Sequence, residues 1–178
     1  MIPEFNENGL LPPDYKPIKT NITELVKKFC TSKKRANLLK GLLDYRKELS
    51  SYDIEGFQWI DGSFVTNKEN REIDLDNGRD PNDIDVLTIY KLPKGESQNT
   101  MSDKMIFDRN YVKRKYSVDA FLIEDRNLFS ENGLLTLAHW VTLYSHTRND
   151  ERKNFLQLSL KKDNFDIVLG LIKSNYEV

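Results

Sequence analysis

The chain has 178 residues, of which 38% are hydrophobic and 31% charged, with nine Phe, eight Tyr and two Trp; that is the make-up of one folded domain with its own core, not of a disordered segment. Its 27 basic and 28 acidic residues leave a net charge of −1, without the basic excess that dedicated nucleic-acid binders use to neutralise phosphates. No apolar stretch approaches the ~20 residues of a membrane span. Met1 to Asn8 lack the basic-then-apolar order of a secretion signal, and the single cysteine, Cys30, cannot form an internal disulfide, so a cytoplasmic location away from membranes is expected.

Residues 1–19 are punctuated by Gly9, Pro12, Pro13 and Pro17 and read as an irregular arm. Asn21 followed by Glu24 forms a capping box, which starts a helix that runs to about Cys30. Ser32 is placed to cap a second helix over about 33–50, where Leu39, Leu42, Leu43 and Leu49 recur at helical spacing. Phe57, Trp59 and Ile60 then lead into Asp61-Gly62-Ser63, a short strand ending at a glycine turn. Residues 67–82 are almost wholly polar, and Asn77-Gly78 within them suggests a hairpin. Ile84, Val86, Leu87 and Ile89 form a β-prone run. A loop is expected over 91–103, a short helix around 103–110, and a buried strand through Val118, Ala120, Phe121, Leu122 and Ile123. Gly133 to Tyr144 is mostly apolar and reads as a buried helix. Phe155 to Leu160 alternates like a strand, and Phe165, Val168, Leu169 and Ile172 give a final helix. No repeat or linker is visible, so residues 1–178 are expected to form a single α/β (α+β) domain, a small sheet flanked by helices.

The chemistry concentrates in a few acids. Side chains of a strand alternate faces, so in Asp83-Ile84-Asp85-Val86 the two carboxylates project together while Ile84 and Val86 enter the core. Two adjacent carboxylates repel, and burying both is costly unless a cation lies between them; magnesium, which prefers oxygen ligands, suits that place. An edge strand whose acid pair faces water is the plain alternative. Gly62-Ser63 offers a turn in which a glycine backbone approaches a phosphate and a serine hydroxyl binds its oxygens. Asp119 opens the apolar run Val118-Asp119-Ala120-Phe121-Leu122 and is the candidate third acid, with Glu124 and Asp125 as weaker ones.

In that order, Gly62-Ser63, Asp83-Ile84-Asp85 and Asp119 resemble the motifs of the polymerase-beta-like nucleotidyltransferase superfamily. Its members include the minimal nucleotidyltransferases of toxin-antitoxin pairs, tRNA-tailing enzymes and cyclic-dinucleotide synthases of antiphage defence. The chain is more closely similar to a group of uncharacterised bacterial nucleotidyltransferase-like proteins. The matching stretches are Ile2-Pro3-Glu4-Phe5-Asn6, Gly9-Leu10-Leu11-Pro12-Pro13, Trp59-Ile60-Asp61-Gly62-Ser63-Phe64-Val65-Thr66 and Pro81-Asn82-Asp83-Ile84-Asp85-Val86. The resemblance spans about residues 1–160, with its specific motifs between 57 and 123. It implies the superfamily's fold, with a small mixed sheet, and two Mg2+ ions held by Asp83, Asp85 and Asp119. It also implies that Gly62 and Ser63 bind nucleotide, and that NMP passes from an NTP such as ATP to an acceptor hydroxyl, with Asp119 closest to the chemistry and able to serve as base. The acceptor implied is a protein side chain, a tRNA end or another nucleotide, within a toxin-antitoxin or phage-defence pair.

The nineteen residues between Ser63 and Asp83 exceed the spacing in many superfamily members, so the segment 67–82 reads as a hairpin insertion carrying Asp74, Asp76 and Asp80. It is no EF-hand loop, because Gly78 falls where a ligand belongs and no glutamate closes it. Lys113-Arg114-Lys115 reads as a solvated loop, with contact to phosphate or RNA as the alternative, and Arg148, Arg152 and Lys153 read as surface residues, with an approach to the triphosphate as the alternative. His139 and His146 lack partners spaced for zinc. Trp59 and Trp140 read as core and Cys30 as a buried helix residue. Two other functions stay open: a nucleotide-sensing or partner-binding module without turnover, and an RNA-binding regulator that uses the basic loop.

Overall fold

The computed structural model describes residues 1–67, 81–96, 104–160 and 163–176. The hairpin expected at Asn77-Gly78 lies outside them. The sheet has five strands, β1 (Ile18–Thr20), β2 (Glu55–Asp61), β3 (Ile84–Lys91), β4 (Val118–Glu124) and β5 (Leu156–Ser159), in the order β1-β5-β2-β3-β4. β2 runs antiparallel to both β5 and β3, while β1 lies parallel to β5 and β4 parallel to β3. Among the described residues the helices are α1 (Ile22–Phe29), α2 (Lys33–Ser50), α3 (Arg109–Tyr116), α4 (Glu131–Tyr144) and α5 (Phe165–Asn175). The fold is therefore a mixed α+β domain, as its pattern of elements predicts. None of these helices is long and apolar enough to cross a membrane.

Strand alternation divides the sheet into two unequal cores. Even-numbered residues, including Ile60, Ile84, Val86, Val118, Ala120, Leu156 and Leu158, join Leu25, Phe29, Leu39, Leu42 and Tyr45 of α1 and α2 in the main cluster. Odd-numbered residues Trp59, Leu87 and Ile89 face the other way, into a smaller cluster with Tyr144 and Phe155. Asp61, Asp85 and Asp119 are odd-numbered too. The acids thus stand on the lightly covered face, at one end of the strands.

Asn21 and Ser32 cap α1 and α2 as expected, accepting from the backbone N–H of Glu24 and Arg35. Cys30 falls just past the end of α1 and is only half-buried. The arm is less free than its prolines suggest. Ile2, Leu10 and Leu11 are buried, and Ile18–Thr20 forms the sheet edge. The helix expected around 103–110 is displaced: Met105–Phe107 is a 3-10 turn, and α3 starts at Arg109 because the Asp108 side chain accepts the N–H of Tyr111. Val112 and Tyr116, one turn apart, anchor α3, so Lys113-Arg114-Lys115 is helical and not a loop. A second correction concerns α4. It is apolar nearly all round yet lies on the surface, with Gly133 and Tyr144 buried and Leu134, Leu135, Val141 and Leu143 exposed. Only the seam through Leu137, Trp140 and Tyr144 meets the smaller cluster, because no further layer of the described residues covers the helix. Trp59 is buried and Trp140 partly so.

Candidate functional site

β2 ends at Asp61, and the chain turns through the 3-10 segment Gly62–Val65. Asp61 pairs in register with Asp85 on β3, and Asp85 with Asp119 on β4. Register partners point to the same face, so three carboxylates stand in a row one strand apart, roughly 5 Å from backbone to backbone. Asp83 lies two residues before Asp85 and adds a fourth. The structure thus brings Asp83, Asp85 and Asp119 together beside the Gly62-Ser63 turn.

The turn itself is fixed from behind. Arg35 of α2 is buried and donates to the carbonyls of Phe64 at 2.7 Å and Thr66 at 3.0 Å, while Thr66 Oγ1 donates to the Ser63 carbonyl at 2.9 Å. Gly62 has φ +79°, and a Cβ there would fall 1.9 Å from Asp85 Oδ2. Glycine is needed twice over, for its backbone conformation and because the Asp85 carboxylate occupies the space a side chain would take. Gly62→Ala is expected to cost about 2–3 kcal/mol, from the left-handed conformation and the clash together. Chemical denaturation measures this, and a loss below about 0.5 kcal/mol would show that the carboxylate simply moves aside.

The four acids differ in how they are neutralised. Asp61 and Lys153 form a buried ion pair, with Lys153 Nζ also donating to the Tyr144 carbonyl at 2.8 Å. Burial pushes the Asp61 carboxyl up, against the opposing pull of the Lys153 ammonium. Asp119 is gripped by Arg109 through Nε at 2.5 Å and Nη2 at 2.9 Å, and by Lys113 Nζ at 2.8 Å. The Arg109 hydrogen bonds, aided by Lys113, hold Asp119 below the usual carboxylate range although burial works against them. Lys113 Nζ is also 2.8 Å from Asp83 Oδ2, so one ammonium bridges two acids. Asp85 is different. Among the described residues it has no hydrogen-bonded or ion-paired cation, and burial, followed by the charges of Asp83 and Asp119, pushes it up to about 6 against Lys113 and Lys153.

Tyr144 stands over this row. Its hydroxyl is buried without a hydrogen-bond partner among the described residues, and its pKa is raised by burial and then by Asp61, Asp85 and Asp119. A carboxylate short of positive charge and an orphan hydroxyl beside it are what a site for a hard, oxygen-seeking cation presents, so the donor set fits magnesium. As the side chains stand, no group of three or more acid, His or Cys residues among the described ones is drawn together tightly enough to hold an ion. Lys113 and Arg109 reach in among the acids instead.

Sequence reasoning missed several of these residues. Lys153, read as surface, is buried, whereas Arg148 and Arg152 are exposed as expected. Lys113, read as solvated, touches two of the acids, and Arg109, one helical turn before it, shares that face of α3. Asp61 and Arg35 went unassigned. Their available signals were a carboxylate at the end of an apolar strand and an arginine within an apolar helix stripe. Glu124 is buried and paired with Arg126 at the far end of β4 from Asp119, so it takes no part. His139 is exposed, and His146 Nδ1 lies 3.0 Å from the Thr142 carbonyl.

No curated protein and no solved structure matches the chain. Residues 3–159, which contain every residue of the acid row and its cationic partners, match the model of a family of unknown function (DUF6932), and the chain belongs to that family.

Proposed function

We propose that the protein is a metal-dependent nucleotidyltransferase with the polymerase-beta-like fold, moving a nucleoside monophosphate from a nucleoside triphosphate to an acceptor hydroxyl. The observation that carries the reading is the register of Asp85 with Asp119, set against a glycine turn whose missing side chain makes room for the Asp85 carboxylate. Asp83, Asp85 and Asp119 are the residues that would hold two magnesium ions, which supply electrostatic stabilisation of the transferred phosphoryl group and the leaving pyrophosphate.

The chain's own groups divide the remaining work. The Gly62-Ser63 turn, pinned by Arg35, presents a hydroxyl and backbone N–H groups to phosphate oxygens. Arg109 keeps Asp119 ionised, which suits a permanent ligand better than a proton acceptor, so the acceptor's proton leaves by another route than Asp119. The acceptor is a protein, an RNA end or a second nucleotide, and a toxin-antitoxin or phage-defence pair is the setting that the resemblance suggests. The RNA-regulator alternative loses ground. Lys113 is engaged with Asp83 and Asp119, and Lys115 pairs with Glu48 at 3.0 Å, so the basic run is largely spent within the chain.

Each of the four NTPs, α-labelled and incubated with magnesium and cell extract, tests the reading. Wild type is expected to label a protein or an RNA with at least one of them, and Asp83→Ala is expected to label nothing. If purified chain binds a nucleotide by calorimetry yet neither labels an acceptor nor releases pyrophosphate, it is a binding module and the enzymatic reading fails.

A further inference from the structure

The two cations that reach into the acid row are held in different ways. The Arg109 guanidinium grips Asp119 through two nitrogens and lies 4.0 Å from the centroid of the Phe121 ring, so it is fixed on two sides. Lys113 is one turn further along α3 and, like Arg109, about half exposed, but it has no ring beneath it among the described residues, and its single ammonium lies 2.8 Å from Asp83 and 2.8 Å from Asp119. An ammonium is a compact point charge on a flexible stem, which gives it freedom to leave. With Arg109 in place, Asp83, Asp85 and Asp119 keep two uncompensated negative charges. Lys113 reduces that to one. A divalent ion matches the acids in charge only once Lys113 has withdrawn.

We infer that Lys113 acts as a built-in competitor for the metal, occupying between Asp83 and Asp119 the place that a divalent cation takes when the site is loaded. The inference rests on the nucleotidyltransferase reading, since it takes Asp83, Asp85 and Asp119 as the ligands. Free metal must displace the ammonium and therefore binds weakly. A metal that arrives carrying phosphates brings the displaced Lys113 a new anionic partner within reach of its side chain. The site thereby favours metal–nucleotide over bare metal. Arg109, clamped between Asp119 and Phe121, does not exchange.

The experiment is Mn2+ binding to metal-stripped full-length chain without nucleotide, followed by electron paramagnetic resonance, for wild type, Lys113→Met, Lys115→Met and Asp85→Asn. Lys113→Met is expected to bind Mn2+ about fivefold to tenfold more tightly than wild type, the scale of a partly exposed ion pair that no longer has to be broken. Lys115, on the same helix but paired with Glu48, controls for the general loss of a positive charge, and Lys115→Met is expected to stay within about twofold of wild type. If wild type and Lys113→Met bind alike, or the variant more weakly, while Asp85→Asn does not bind, the acid site stands and the competition is refuted. If Asp85→Asn binds as well as wild type, or none of the proteins binds, the site reading fails and the competition falls with it.

Discussion

Asp85→Asn is expected to lower the proposed nucleotidyl transfer about a thousandfold while making the metal-free protein more stable. The loss follows from removing one of the carboxylates that hold the metals in the proposed reaction. The gain follows from the ground state. Burial and the neighbouring charges of Asp83 and Asp119 raise Asp85 from 3.8 to about 6, with Lys113 and Lys153 only partly opposing them. For an acid whose folded pKa is raised, the charged form is what the fold disfavours. The burden is absent below the unfolded pKa, grows as pH rises from about 4, and is complete above about 6, at roughly 1–3 kcal/mol. Asp85→Asn removes it, so in EDTA its Tm is expected to exceed that of wild type by several degrees at pH 7.5, and the two should converge near pH 4. A variant less stable than wild type at pH 7.5 would mean that Asp85 serves the fold, not a site.

The opposite behaviour is expected at Lys153. Its side chain and that of Asp61 are 5% and 6% exposed, so Lys153→Met leaves a carboxylate buried without its cation. Breaking such a pair on one side costs about 3–5 kcal/mol, whereas replacing both partners with neutral groups is close to neutral. Urea unfolding should therefore show a large loss for Lys153→Met and recovery of most of it in Asp61→Asn/Lys153→Met. A single variant within about 1 kcal/mol of wild type, or a double variant no better than the single, would mean that water reaches Asp61.

What could be read from the sequence was local. Alternation over two residues placed Asp83 and Asp85 on one face and Ile84 and Val86 in the core, and the caps at Asn21 and Ser32 were equally plain because each spans only one turn. The convergence of Asp119 with Asp85 was expected from the resemblance, and the parallel register of β3 and β4 brings it about. The cations were invisible because they depend on tertiary placement. Lys153 meets Asp61 across 92 residues, and the basic run 113–115 divides its loyalties by helical phase, Lys113 toward the acids and Lys115 toward Glu48. α4 misled for a related reason. An apolar sequence says that a helix prefers cover, but not whether this chain provides it. The three-residue strand at Ile18–Thr20 was too short to signal and shows itself only through its pairing with β5.

The position of β5 has a consequence for biosynthesis. The strands, turn and helix that carry the acid row have all been synthesised once Glu124 has been made, yet β2 still lacks a neighbour on one side and Asp61 still lacks its lysine. Ile18–Thr20 also waits, since its partners are Leu156, Gln157 and Leu158. One late event, the insertion of the segment from Lys153 to Ser159, fills the gap in the sheet, captures the first strand and neutralises Asp61. Until then the nascent protein carries an open strand edge, the state in which chaperones and wrong partners compete for a chain.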